Sequence, residues 1–239
     1  MNNTKKVLVT GASKGIGKAI AKVLCDEGYQ VYICARHKDI LKQTAEQIGA
    51  KGYFVCDLSD DNSLVKLVQN DFDILINNAG VYVYSPVEKT EDKDISSLIK
   101  LNIEAPYKLI KTFVPYMKQK KWGRIVNIGS ISGAVGEANA SLYSMTKSAF
   151  LGLTKALALE LAQDNITVNT INPGWVETEL AQDAVDDSDF NYEEEIDMIP
   201  QRRFIQPEEI AKLVKYMVSE DAKGMTGQNV NLCAGLSVG

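Results

Sequence analysis

Three side chains in this sequence stand at spacings that could move a proton. Tyr143 and Lys147 are four residues apart, which on a helix places them one above the other on the same face. An ammonium beside a phenol favours the phenolate and lowers the tyrosine pKa from its ordinary value of about 10. Such a pair can do acid–base work near neutral pH. The spacing alone does not single it out, because Tyr107–Lys111 and Tyr116–Lys120 repeat it. Ser130 does. It closes the strand-like run Gly123-Arg124-Ile125-Val126-Asn127-Ile128-Gly129-Ser130, thirteen residues before Tyr143. The same step back from Tyr107 and Tyr116 lands on Asp94 and Ile103. A serine at a strand tip and a tyrosine at the start of the next helix can both hydrogen-bond one substrate oxygen.

The elements that must position these groups follow from hydrophobic period. Lys6–Thr10 reads as a buried strand, then Gly11-Ala12-Ser13-Lys14-Gly15-Ile16-Gly17, then a helix with Ile16, Ala19, Ile20, Val23 and Leu24 on one face, stopping at Gly28. Strand, glycine turn and helix together aim free amide groups at the turn, an anion site suited to a pyrophosphate. The glycines run G-x-x-x-G-x-G rather than G-x-G-x-x-G, and Ala12 and Ala19 do not fit a P-loop. Further strands are expected at 30–35, 52–56, 72–76, 123–130, 166–171 and 229–233, with helices between them. That alternation predicts a single α/β domain: a doubly wound parallel sheet of seven strands, helices on both faces, ligands at the strands' carboxyl ends. The second strand ends at Arg36 where an acid would bind a ribose 2′-hydroxyl; an arginine there accommodates a 2′-phosphate, and Lys14 adds a second cation. Both favour NADP over NAD.

Two helical stretches carry more than packing. From Asp92 to Lys120 runs one long helical pattern with Asn102 inside it, a polar amide that must find partners or cap a kink. Ser148 to Leu161 is apolar nearly all round, so one side should meet the sheet and the other a partner subunit. The expected contact is a homotetramer or dimer through the helices at about 92–120 and 142–162. The acidic segment Asp183–Asp197 reads as a solvated face or part of a substrate lid at about 178–205.

Composition narrows the function classes. The chain has 239 residues, 45% hydrophobic and 24% charged, within the size of one α/β domain. A formal net charge of −5 argues against general nucleic-acid binding. No apolar run approaches the roughly 20 residues of a membrane helix. The cysteines at 25, 34, 56 and 233 form no close pair, so no zinc or CxxC redox site is suggested, and Cys34 and Cys56 read as buried. His37, the only histidine, sits in an expected loop. The first residues show no signal-peptide core. A cytoplasmic protein is expected.

Taken together, Thr10-Gly11-xxx-Gly15-Ile16-Gly17, Asp57, Asn77-Asn78-Ala79-Gly80, Asn102, Ser130, Tyr143-xxx-Lys147 and Pro173-Gly174 resemble, in order and spacing, the short-chain dehydrogenase/reductase family from end to end. The resemblance implies a Rossmann-type fold and a chemistry. Tyr143 would protonate the carbonyl oxygen as hydride arrives, and Ser130 would polarise it. Lys147 would hold the nicotinamide ribose and lower the Tyr143 pKa, and Asn102 would organise a relay water. Gly11, Ser13, Lys14, Gly15, Ile16, Gly17, Arg36, Asp57, Leu58, Asn78, Ala79, Gly80, Tyr143, Lys147, Pro173, Gly174, Val176 and Thr178 would bind NADP(H).

Within the family the chain is most similar to the 3-oxoacyl-acyl-carrier-protein reductases, by Lys14/Arg36, Ile199-Pro200-x-x-Arg203 and Thr226-Gly227-Gln228. It departs at Cys233-Ala234, where Asp-Gly is usual, and at Asp164, where a basic docking residue is common. Lys118, Lys120, Lys121 and Arg124 offer a basic patch for an acidic acyl carrier protein. Tyr82, Val83, Tyr84, Ile131, Val135, Trp175, Val176 and Met198 are expected to wall an apolar pocket. The leading expectation is NADPH-dependent reduction of a 3-oxoacyl thioester. The alternatives are a reductase or dehydrogenase of another ketone or secondary alcohol, and a silent NADP-sensing module.

Overall fold

The computed structural model describes residues 5–178 and 192–238. Seven parallel strands form one sheet: β1 (Lys6–Thr10), β2 (Gln30–Ala35), β3 (Gly52–Val55), β4 (Ile74–Asn77), β5 (Gly123–Ile128), β6 (Ile166–Pro173) and β7 (Asn229–Leu232). Their spatial order is β3-β2-β1-β4-β5-β6-β7. The chain steps outward from β1 to β3, then returns to place β4 on the other side of β1, so a crevice opens between the carboxyl ends of β1 and β4. Right-handed crossovers need helices between parallel strands, and each of the six gaps supplies at least one among the described residues.

Alternation along each strand assigns the two faces. In β1, Val7 and Val9 point to one side with Val31, Ile33, Ile74 and Ile76, where they meet α1 (Gly15–Asp26) and α2 (Lys38–Ile48). The helix Pro207–Val218 closes that layer through Ile210, Val214 and Met217. Leu8, Leu75 and Ile125 point the other way, against α3 (Asp61–Val68), α5 (Ala105–Lys120) and α7 (Ser141–Leu161) through Leu67, Phe113, Met117 and Leu161. Both faces of the sheet are therefore covered, which is why the central strands read as continuous apolar runs. Burying each such Leu, Ile or Phe contributes about 1.5–3 kcal/mol.

The long helical stretch expected over 92–120 is not uniform. It comprises α4 (Asp92–Leu98), a π-helical turn (Ile99–Glu104) and α5. Asn102, 1% exposed, sits inside that turn. The widened turn lets the amide face inward, and such turns recur at functional sites. The loop expected after Ser130 contains a short helix, α6 (Ser132–Val135). Of the expected lid, 179–191 lie outside the described residues. The remainder forms α8 (Tyr192–Met198) and a return stretch, where Ile205 bridges Val176 and Gln201 N–H bonds the Ala234 carbonyl at 3.1 Å. With α8 named, Pro207–Val218 is α9. No helix among the described residues is long and apolar enough to cross a membrane.

Candidate active site

The glycine turn at the end of β1 is fastened to the end of β4 by one side chain from each. Thr10 Oγ1 accepts the backbone N–H groups of Asn78 and Ala79, both at 3.0 Å. In return Asn78 Nδ2 donates to the carbonyls of Thr10 (2.9 Å) and Gly11 (3.0 Å). Residues expected to bind cofactor thereby close the crevice floor. Helix α1 starts at this turn with no side-chain cap and no acidic residue in its first turn, which leaves its amide groups for an anion. Gly15 has φ +55, and a Cβ built there would lie 3.5 Å from Thr178 Cγ2. The space between turn and Thr178 is thus kept open by the absence of a side chain, a cradle of the kind a pyrophosphate occupies.

The outer rim carries the charge. Lys14 and Arg36 are exposed at the ends of the glycine turn and β2. Asp57 is held below the usual carboxylate range by the Ser59 hydroxyl and backbone N–H, with Arg36 adding to the effect. Ser13 anchors the turn, its carbonyl accepting Thr44 Oγ1 at 2.9 Å. Ile16 packs into the α1 layer. Leu58 is 6% exposed, its side chain in the core beneath β1, so at the adenosine end it offers backbone only. Across the crevice, Gly174 N–H bonds the Leu232 carbonyl at 3.0 Å and Pro173 O accepts from Ile131 N–H at 2.8 Å. Pro173, Gly174, Val176 and Thr178 thus continue from β6 along the carboxyl edge.

Lys147, Tyr143, Ser130 and Asn102 converge at the end of β5. Gly133 makes this possible: a Cβ there would fall 2.7 Å from the Lys147 backbone, so only glycine lets α6 lie on α7. Lys147 is 5% exposed and its Nζ donates to the Ile128 carbonyl at 2.9 Å. Burial lowers its pKa from 10.5 to about 8. Ser130 lies close enough to the Tyr143 phenol to draw its pKa downward. The Lys147 ammonium lies 5.7 Å from the Tyr143 ring centre. Tyr143 keeps some accessible surface, yet burial of its hydroxyl end pushes the phenol up to about 12, Ser130 opposing and Glu137 adding to the rise.

This corrects the expected direction for Tyr143. The removal of the phenol from water outweighs the pull toward the phenolate. Asn102 finds the partners its buried amide needs. Its Nδ2 donates to Val81 O (2.9 Å) and Thr146 Oγ1 (3.1 Å), and its Oδ1 accepts Val81 N–H (3.0 Å). These bonds make it the anchor of the loop after β4 onto α7. It remains beside Lys147, because a Cβ on Gly80 would sit 3.2 Å from Asn102 Oδ1 and 3.4 Å from Lys147 Nζ.

Ser132, Glu137 and Asn139, not among the expected residues, join the expected Tyr82, Tyr84 and Trp175 on the substrate side. Tyr82 packs edge-to-face on Tyr143, ring centres 4.8 Å apart, and donates to Glu137 Oε1 at 2.5 Å. Ser132 donates to Glu137 Oε2 at 2.6 Å. Asn139 Nδ2 reaches Tyr84 OH at 2.9 Å. The only signal in the sequence was a second hydroxyl two residues after Ser130. Trp175 stacks on Phe204 at 5.9 Å, and Glu195 of α8 is near enough to Glu137 and Glu194 for both to raise its pKa, after burial. Of the expected pocket wall, Ile131 and Val176 are buried, while Tyr84, Val135 and Met198 are largely exposed.

Of the expected basic patch, Lys120 is exposed and three residues meet constraints. Arg124 is 2% exposed, Lys121 pairs with Asp164 at 2.5 Å and Lys118 approaches Glu160 at 4.0 Å. All four lie at the amino end of β5, the opposite edge of the sheet from Ser130.

Comparison with known proteins agrees with this architecture. Residues 5–189 match the short chain dehydrogenase family. A 3-oxoacyl-acyl-carrier-protein reductase from Buchnera aphidicola subsp. Schizaphis graminum is 35% identical, covering 97% of each chain. A crystal structure of an actinorhodin polyketide ketoreductase with NADPH superposes with a TM-score of 0.93 at 32% identity, covering 100% of this chain and 99% of that one. A 3-ketoacyl-acyl-carrier-protein reductase from Brucella melitensis complexed with NADH gives 0.91 at 27% identity, covering 100% of both.

Proposed function

The chain belongs to the short-chain dehydrogenase/reductase family, and we propose that within it this oxidoreductase uses NADPH to reduce a 3-oxoacyl thioester to the 3-hydroxyacyl thioester. The observation that carries the reading is the gathering of Tyr143, the Ser130 hydroxyl that draws its pKa downward, and the buried Lys147 at the crevice. Bound NADPH supplies the hydride. The α1 amide groups, Gly11, Gly15, Thr178 and the 78–80 turn hold its phosphates and nicotinamide side, and Arg36 with Lys14 takes the 2′-phosphate. Tyr143, kept protonated by burial, donates its proton to the carbonyl oxygen, while Ser130 hydrogen-bonds the same atom. Lys147 holds the ribose hydroxyls and stabilises the phenolate left behind.

A second reading, reduction of a ketone without a carrier, has its own support. Glu137, Glu194 and Glu195 gather near the substrate side, and this acidic field disfavours an acidic carrier or coenzyme A phosphates. For assembly we propose a homotetramer or dimer through α5 and α7. Tyr107 (54%) and Leu159 (84%) are exposed there, and this face of α7 turns away from the sheet. The substrate experiment is NADPH oxidation with acetoacetyl thioesters on carrier protein and coenzyme A, beside simple ketones, with NADH in parallel. Turnover of thioesters alone supports the first reading. Turnover of ketones with the thioesters inert replaces it with the second.

A further inference from the structure

Tyr143 is the third residue of α7, and Ala140 before that helix gives it no side-chain cap. The backbone there is nevertheless fixed. Thr146 Oγ1 donates to the Tyr143 carbonyl at 2.8 Å and itself accepts Asn102 Nδ2. What the helix leaves open is the ring, which turns about its own side-chain torsions. Tyr82 meets that ring edge-to-face, centres 4.8 Å apart and planes at 81°, the geometry aromatic pairs prefer. Tyr82 is in turn held from three sides. Before it, Val81 exchanges two bonds with the Asn102 amide, at 3.0 and 2.9 Å. After it, Ser85 N–H donates to the Asn139 carbonyl at 2.6 Å, and Asn139 Nδ2 donates to Tyr84 OH at 2.9 Å. At its tip the Tyr82 hydroxyl donates to Glu137 Oε1 at 2.5 Å. Burial and that carboxylate both raise the Tyr82 pKa, so the hydroxyl stays a donor. Tyr82 is 37% exposed, so little of this anchoring serves core packing.

We propose that Tyr82 is a positioning residue for Tyr143: bolted by Glu137, its ring fixes the angle at which the Tyr143 hydroxyl meets the reacting oxygen. The proton transfer stays with Tyr143. Tyr82 narrows the ring orientations that Tyr143 samples to those from which its proton can pass. A mere pocket wall would act on the substrate and on KM, whereas this contact acts on kcat. The inference rests on the reading that Tyr143 donates the proton.

The test uses Tyr82→Leu, which removes the ring, and Tyr82→Phe, which keeps the ring and frees it from Glu137. Each is made alone and together with Tyr143→Phe. In reduction, kcat should fall about tenfold in Y82L and about threefold in Y82F, the worth of an aromatic pair and of one hydrogen bond. Substrate KM and NADPH affinity should stay within about twofold. The same factors should appear with a small ketone and with an acetoacetyl thioester, because Tyr143 serves both. In the Y143F background either substitution should change the residual rate by less than about twofold, since no hydroxyl is left to aim. A loss that persists in that background, a loss confined to KM, or one that varies with the substrate overturns the assignment. Unchanged kcat in both variants overturns it too. If Y82L no longer binds NADPH, Y82F decides alone by the same criteria. Near-normal turnover by Y143F would instead remove the reading beneath the proposal.

Discussion

Lys147 reaches across from α7 to donate its ammonium to the Ile128 carbonyl, 2.9 Å away at the end of β5. One bond thereby ties the helix carrying Tyr143 to the strand carrying Ser130. It does so with a cation that burial penalises, its pKa lowered from 10.5 to about 8. A lysine whose folded pKa is depressed binds fewer protons folded than unfolded between those two values. Stability therefore rises with pH across that window. Below about 8 the penalty is fully present; above 10.5 it is gone. Lys147→Met removes the charge, so its denaturation midpoint relative to the unsubstituted protein should be most favourable below about pH 8 and lose that advantage toward pH 10.5. Urea unfolding at a series of pH values checks this. A constant difference would mean that Lys147 does not titrate low.

Arg36→Asp should weaken NADPH binding by about tenfold or more, the worth of a charge-assisted hydrogen bond, while leaving NADH binding much less affected. The substitution also faces Asp57, whose charge Arg36 now favours. Titration of both nucleotides by fluorescence gives the ratio. An unchanged ratio would place recognition of the 2′-phosphate elsewhere.

Much of this was legible in the sequence, for physical reasons. Val7, Leu8 and Val9 alternate between two covered faces, so the strands and the helices between them followed from apolar runs and helical spacing. Ser130, Tyr143 and Lys147 sit on consecutive elements, so their meeting was legible too. What was not legible depends on contacts distant in sequence. Glu137 meets Tyr82 across 55 residues, and no local pattern encodes that closure. The π-helical turn at Asn102 is set by a tertiary bond to Val81. The direction of the Tyr143 pKa follows from burial, which spacing does not report.

Arg203 and Glu209 offer a test of local stability at the start of α9. Two bonds join them, at 2.7 and 2.9 Å, and the Gln206 backbone N–H also donates to Glu209 at 2.8 Å. Arg203 holds the Glu209 carboxyl down to about 2. A depressed carboxylate contributes stability above its unfolded pKa and loses it as pH falls toward the folded one. Glu209→Gln should lower Tm at neutral pH by about 2–4 °C, the worth of one charged hydrogen bond at a partly exposed site in a domain of this size. The loss should shrink as pH approaches 2. Thermal melts at several pH values decide it, and an equal loss at all pH would exclude the charge.

The most direct measurement compares NADPH oxidation by the unsubstituted protein and by Tyr143→Phe with the best ketone or thioester substrate, alongside NADPH binding by fluorescence. The account predicts a loss of about 10²–10⁴ in turnover, the usual worth of a positioned general acid, with nucleotide affinity within about twofold. Near-normal turnover by the phenylalanine variant would contradict it, because Tyr143 would then not be the group that protonates the carbonyl oxygen.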